Sequence, residues 1–152
     1  KTLRVMSPLD RNDRLRVAMA IDQGLHNAMY RGNLEIGAEH KLPFVSGFGD
    51  QHTAELVEQR LRSKPYADRK IQVVLEFKRD RFGIRIRAGG PGFDTSAISQ
   101  WEDLEARGIN LMKAFMDKVE YSFNHDRGTA LIMRKQMVGP LEESDRQEEE
   151  EE

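Results

Sequence analysis

Residues 71–87 read IQVVLEFKRDRFGIRIR, and this stretch determines the fold class of the chain. Apolar side chains recur at every second position within Ile71–Phe77 and again within Phe82–Arg87, which is the period of a β-strand. The charged residues Lys78–Arg81 separate the two runs. The sequence therefore predicts two strands that form an antiparallel hairpin.

A second pair of strands is expected near the end of the chain. Val119–Phe123 and Thr129–Met133 are rich in apolar and β-branched residues. They flank Asp126-Arg127-Gly128, whose aspartate and glycine are typical of a tight turn. This pattern predicts a final hairpin.

Four segments are predicted to be helical from the three-to-four-residue spacing of their apolar side chains or from a capping signal. These segments are Asn12–Arg31, Thr53–Arg62, Ser99–Glu105 and approximately Ile109–Met116. Asn12 or Asp13 is the expected cap of the first helix, and Gly32 is its expected stop. The order of elements predicts an α+β fold, a two-layer sandwich with helices on one face of a mostly antiparallel mixed sheet. Its core is expected to include Met112, Met116, Met133 and Met137.

The composition favours one globular domain. The chain has 152 residues, of which 38% are hydrophobic and 33% charged, with a mean hydropathy of -0.68. That length supports one sizeable core, and no apolar run is long enough for a membrane span. Cysteine is absent, which excludes disulfides, thiolate zinc sites and cysteine nucleophiles, and favours a cytoplasmic location. The four histidines show no metal-binding spacing.

Charge is distributed unevenly along the chain. Residues 142–152 hold eight acidic groups and Arg146, so removing their charge of -7 from the net charge of -2 leaves +5 for the remainder. We expect a domain at residues 1–138 and a disordered acidic tail at 139–152. Because the first residue is Lys1 and no charged-then-apolar leader follows it, we expect a fragment or shortened chain rather than a secreted precursor. The net charge of +5 outside residues 142–152 is too small to predict a nucleic-acid or a membrane partner.

Four segments together form a specific pattern, although no single one of them is specific. They read IDQGLHNAMYRGN at residues 21–33, AGGPGFD at 88–94, RGINLM with FMDKV at 107–119, and Gly128-Thr129. Taken singly, each is more simply explained as a turn or an ordinary polar helix residue. In this order and spacing they resemble the GHKL ATPase domain, and they are most similar to the anti-sigma factor serine-protein kinases. The resemblance spans roughly Leu15–Lys135 and implies the GHKL, or Bergerat, ATP-binding fold.

The resemblance implies binding of ATP and Mg²⁺. The Asn27 side-chain oxygen would coordinate the Mg²⁺ that bridges the phosphates. Glycines would let the backbone approach the nucleotide, amides at the start of the Ile109 helix would face phosphate, and Thr129 would lie near the adenine. The positions carried over for nucleotide binding are Asn27, Arg31, Ala88, Gly90, Gly92, Gly108, Ile109 and Thr129.

Two family carboxylates are missing from this sequence. Gln23 occupies the position of the general-base glutamate, and an amide cannot accept a proton, which costs ~10²- to 10⁴-fold in rate. Ala88 replaces the aspartate that accepts a hydrogen bond from adenine. Asp22 sits about 100° around the helix from Gln23. A register in which Asp22 or Asp94 fills one of these roles is the alternative. Arg31 stands where the family has histidine.

These departures favour a regulatory binding domain over an enzyme. The first hypothesis is a signal-transduction domain that recognises a sigma factor or an antagonist-like domain, with weak or absent nucleotide binding. The second is an active serine/threonine protein kinase or ATPase of the same fold. A histidine kinase catalytic domain is a third interpretation, disfavoured because no helix carries an apparent phosphoacceptor histidine. Dimerisation is common in the resembled family, so a homodimer is also implied.

Overall fold

The computed structural model describes residues 9–37, 39–40, 50–92 and 104–137. The helical elements in chain order are α1 (Arg11–His26), a π-helical segment (Asn27–Asn33), α2 (Gln51–Arg62), a short 3-10 turn (Tyr66–Asp68) and, later, α3 (Leu104–Phe115). The strands are β1 (Gln72–Phe77), β2 (Arg81–Arg87), β3 (Lys118–Asn124) and β4 (Gly128–Gln136). The predictions for Asp94, for residues 99–103 and for the acidic tail lie outside the described residues.

The four strands form one sheet in the order β1-β2-β4-β3. Both predicted hairpins are confirmed, because β1 pairs with β2 and β3 pairs with β4. The prediction of a mixed sheet is wrong for the described strands, all of whose pairings are antiparallel. The reason is that β4 inserts between β2 and β3. Strands that run in the same direction, β1 with β4 and β2 with β3, are therefore never neighbours. The coarser prediction of an α+β fold with helices and a largely antiparallel sheet is confirmed.

The main core lies between the sheet and the helices α1 and α3. Every second residue of β2 is buried, as a strand covered on one face requires. Residues on β4 lie opposite them in register, with Ile84 beside Met133 and Ile86 beside Leu131. The buried residues of this core are Leu9, Val17, Ala20, Phe82, Ile84, Ile86, Ile109, Met112, Met116, Leu131, Met133 and Met137. The predicted core position of the four methionines is therefore confirmed.

The apolar alternation of β1 is not matched by burial. Val73, Val74 and Leu75 are between 44% and 49% exposed, although they belong to the stretch that predicted the strand. Because β1 is an edge strand that pairs only with β2 within the described sheet, it lies at the margin of the helical layer. Phe77, at the end of β1, still packs against the core.

Three helix starts differ from the predicted ones. The side chain of Asp10, rather than Asn12 or Asp13, caps α1 by accepting a 2.7 Å hydrogen bond from the amide of Asp13. Asp50 caps α2, and the hydrogen bonds it accepts from the Thr53 hydroxyl and amide lower the pKa of Asp50. α3 already begins at Leu104, several residues before the predicted start at Ile109.

A second, smaller cluster connects α2 to the end of the π-helical segment. Leu34 and Ile36 are buried there and are covered by apolar side chains of α2 and by Tyr66. Arg60 of α2 donates to the backbone carbonyls of Leu34 and Glu35, so this connection is also hydrogen-bonded. None of the helices in the described part of the chain has the length and apolarity needed to cross a bilayer.

Candidate functional site

A small cavity lies between the end of α1 and the inner face of the sheet. Its volume is about 30 Å³, which is room for only one or two water molecules. The residues that line it are Gly24, Asn27, Ala28, Gly32, Ile86, Ala88, Gly92, Tyr121, Thr129 and Leu131. Four of the sequence-predicted positions, Asn27, Ala88, Gly92 and Thr129, therefore meet at one cavity. None of the described lining residues carries a charge.

A chain of hydrogen bonds engages both polar atoms of the Asn27 side chain. Gln23 Nε2 donates to Asn27 Oδ1 at 3.1 Å, and Asn27 Nδ2 donates to the Tyr121 hydroxyl at 3.4 Å. Gln23 and Asn27 meet because residues four apart lie on the same face of a helix. The oxygen that the resemblance assigns to Mg²⁺ therefore already accepts a hydrogen bond from Gln23.

α3 approaches this chain of hydrogen bonds at Gly108. A Cβ atom at residue 108 would lie 2.5 Å from Gln23 Nε2, so Gly108 leaves space for the present position of the Gln23 side chain. However, α3 starts at Leu104, which places Gly108 and Ile109 beyond the first turn. Only the first four amides of a helix lack an intrahelical partner. The amides of Gly108 and Ile109 therefore do not lie at the start of α3, and the Ile109 side chain belongs to the core. The expected roles of these two residues toward a nucleotide stay predictions.

The other four predicted nucleotide positions, Arg31, Gly90, Gly108 and Ile109, do not line the cavity. Arg31 points toward the residues after the π-helical segment, where its guanidinium donates to the carbonyls of Ile36 at 2.8 Å, Gly37, and His40 at 3.4 Å. Asp22 is exposed on α1, whereas Gln23 is partly buried. Asp22 therefore does not share the partly buried position of Gln23.

The glycine loop is held in place by Asn33, which sequence reasoning did not identify. Asn33 is 4% exposed, and its Oδ1 accepts a 2.6 Å hydrogen bond from the amide of Gly89. Its Nδ2 donates to the Arg69 carbonyl at 3.3 Å, and Arg69 donates to the Asn33 carbonyl at 2.6 Å. The signal in the sequence was the asparagine that closes the motif at residues 21–33.

Gly90 and Gly92 have packing roles that need no nucleotide. A Cβ atom on Gly90 would lie 2.2 Å from the carbonyl oxygen of Gly32. Gly92 has φ +81, and a Cβ there would lie 2.5 Å from the amide nitrogen of Thr129. These two glycines therefore let the loop pass between the π-helical segment and the start of β4.

The described residues do not fit Mg-ATP. The Asn27 oxygen already accepts a hydrogen bond from Gln23, and residue 88 offers a methyl group in place of a hydrogen-bond acceptor. Nor does the described part of the chain contain a cluster of three or more histidine or carboxylate side chains arranged to hold a metal ion. What the arrangement provides is a closed, hydrogen-bonded contact between α1 and the sheet.

No family model matches this chain, and no curated protein matches it.

Proposed function

We propose that this chain is a bacterial regulatory domain of the GHKL type that acts in cytoplasmic signal transduction by binding a protein. Its partner would be a sigma factor or an antagonist-like domain, the two classes that the resembled anti-sigma factor serine kinases recognise. Its nucleotide site would be degenerate, with Gln23 and Ala88 in place of the two carboxylates. The domain would then work as a binding module rather than as a kinase.

The observation that carries this proposal is the hydrogen bond from Gln23 to Asn27. A glutamate at residue 23 would accept protons, and the Asn27 amide could then turn its oxygen outward toward a cation. Gln23 instead donates to that oxygen at 3.1 Å, while Tyr121 accepts from the amide nitrogen. One substitution therefore removes the proton acceptor and also occupies the metal-binding oxygen.

The different roles of the glycines and the carboxylates support the same conclusion. Gly90 and Gly92 are needed for close packing against backbone whether or not a nucleotide binds. A carboxylate at residue 23 or 88 would have no such role, since the surrounding cavity is apolar. A domain retained only for protein binding would therefore keep these glycines and could lose the carboxylates.

Direct measurement of protein binding tests the proposal. The purified chain would be immobilised and exposed to the sigma factors and antagonist-like domains encoded in the same genome, with and without Mg-ATP. We expect one of these proteins to bind with the same affinity in both conditions. Asn27→Ala should leave that affinity unchanged. Failure of both classes to bind, or binding that requires Mg-ATP and is lost in Asn27→Ala, would contradict the proposal and favour a working kinase.

A further inference from the structure

A larger groove lies at the end of the sheet and borders the small cavity at Ala88. It measures about 510 Å³ and is formed where β1 begins, β2 ends and the turn between β3 and β4 closes. Ile86 faces the helices, and side chains alternate along a strand, so Arg87 lies on the opposite face of the sheet. The groove therefore opens away from α1 and α3.

Positive charge predominates along this groove, which we call the cationic groove. Lys70, Arg87 and Arg127 line it, and Asp126 is the acidic residue among its lining side chains. None of the three cations forms an ion pair or a side-chain hydrogen bond with another described residue. The adjacent Arg69, by contrast, pairs with Glu35 at 2.8 Å.

Arg87 has an unmet hydrogen-bonding requirement. Its Nε atom is buried and has no hydrogen-bond partner within the described part of the chain. Buried polar atoms in folded proteins are almost always paired, with protein, water or an ion. A guanidinium meets an oxyanion through two parallel hydrogen bonds, one of which comes from Nε.

The floor of the groove leaves room for this ligand. Ala88, Gly89, Gly90 and Gly128 contribute almost no side-chain volume there. Arg87 lies opposite Ala130 in the register, a small side chain that is 3% exposed. The cations can therefore approach one group from several sides.

We propose that the cationic groove binds an oxyanion, a phosphate or carboxylate group held by Arg87 together with Lys70 and Arg127. The group could belong to a phosphorylated ligand or to the chain's own Glu148–Glu152. Those glutamates follow Met137 by eleven residues or more, and an extended chain spans ~3.3–3.6 Å per residue. That reach exceeds the roughly 30 Å length of the nine residues of β4. The three cations lie outside the small cavity beside α1, although Ala88 lines both places.

Titration of the full chain with inorganic phosphate at low ionic strength, followed by NMR, tests this site. We expect saturable shifts of the Arg87 Nε–H signal and of the Gly90 and Gly128 amides, which sodium chloride at equal ionic strength does not produce. Lys70→Gln with Arg127→Gln, both exposed, should weaken phosphate binding by about tenfold or more. Arg85→Gln, on the same face of β2 but outside the groove, is the matched control and should bind phosphate unchanged.

A second chain, with Glu148–Glu152 replaced by glutamine, identifies the source of the oxyanion. Equal phosphate affinity in both chains supports the site and indicates an external phosphorylated ligand. Phosphate binding that appears or tightens only in the glutamine chain also supports it and indicates that the chain's own carboxylates occupy the groove. The proposal is overturned if neither chain binds phosphate saturably, or if Lys70→Gln with Arg127→Gln leaves the affinity unchanged.

Discussion

Replacing Gln23 by glutamate and Ala88 by aspartate together should raise the rate of ATP hydrolysis by about 10²-fold or more over that of the native chain. The introduced glutamate would supply the missing proton acceptor and could no longer donate to the Asn27 oxygen. The introduced aspartate would supply an acceptor for the adenine amino group, which is worth roughly 10- to 150-fold in affinity. The Ala88 methyl group lies against Gly32, in the space that the missing Cβ of Gly32 leaves. Release of phosphate from Mg-ATP measures the effect.

Two control variants separate this restoration from an unspecific gain. Adding Asn27→Ala to the double variant should abolish the gain, because the metal-binding oxygen is then missing. The variant with Asp22→Glu and Ala88→Asp keeps a carboxylate on the exposed side of α1. Its rate of ATP hydrolysis should not exceed that of the native chain. A native chain that already matches the double variant, or a gain that survives Asn27→Ala, would show that Gln23 does not block the site.

Gly90→Ala should destabilise the fold by about 3 kcal/mol, a large effect for the addition of one methyl group. The new Cβ would lie 2.2 Å from the Gly32 carbonyl oxygen, so backbone must move. Neither side can yield easily, since the amide of Gly89 is hydrogen-bonded to Asn33 and Gly32 is itself buried. The free energy of unfolding in urea, measured by circular dichroism, gives the value.

Gly83→Ala is the matched control for this prediction. It also adds one methyl group to a glycine, but the nearest atom, Glu76 Oε2, would be 3.6 Å away in ordinary contact. We expect the free energy of unfolding to change by less than about 1 kcal/mol. Equal stability of the two variants would mean that the loop does not pass against Gly32 as described.

Most elements of the fold could be predicted from the sequence because they depend on local periodicity. The alternation within residues 71–87 predicted β1 and β2, and the spacing of apolar residues predicted α1 and α2. The insertion of β4 between β2 and β3 could not be predicted in this way, because it depends on pairings such as Ile84 with Met133, far apart in the chain. The exposure of β1 likewise follows from its edge position and not from its own residues.

The candidate site was predictable to the same extent. The contact between Gln23 and Asn27 follows from their spacing of four residues on one helix. The role of Tyr121 does not, since it lies 94 residues from Asn27 and reaches it only through the fold. The expected roles of Gly108 and Ile109 depended on where α3 begins, and residues after a glycine loop give a weak signal for a helix start.

Isothermal titration of the native chain with Mg-ATP, beside the variant that carries Gln23→Glu and Ala88→Asp, tests the central claim most directly. We predict no saturable heat of binding for the native chain and saturable binding for the variant. That result would show that Mg-ATP binding is lost because of the residues at positions 23 and 88, in a site that is otherwise intact. Tight binding of Mg-ATP by the native chain, abolished by Asn27→Ala, would contradict a degenerate site.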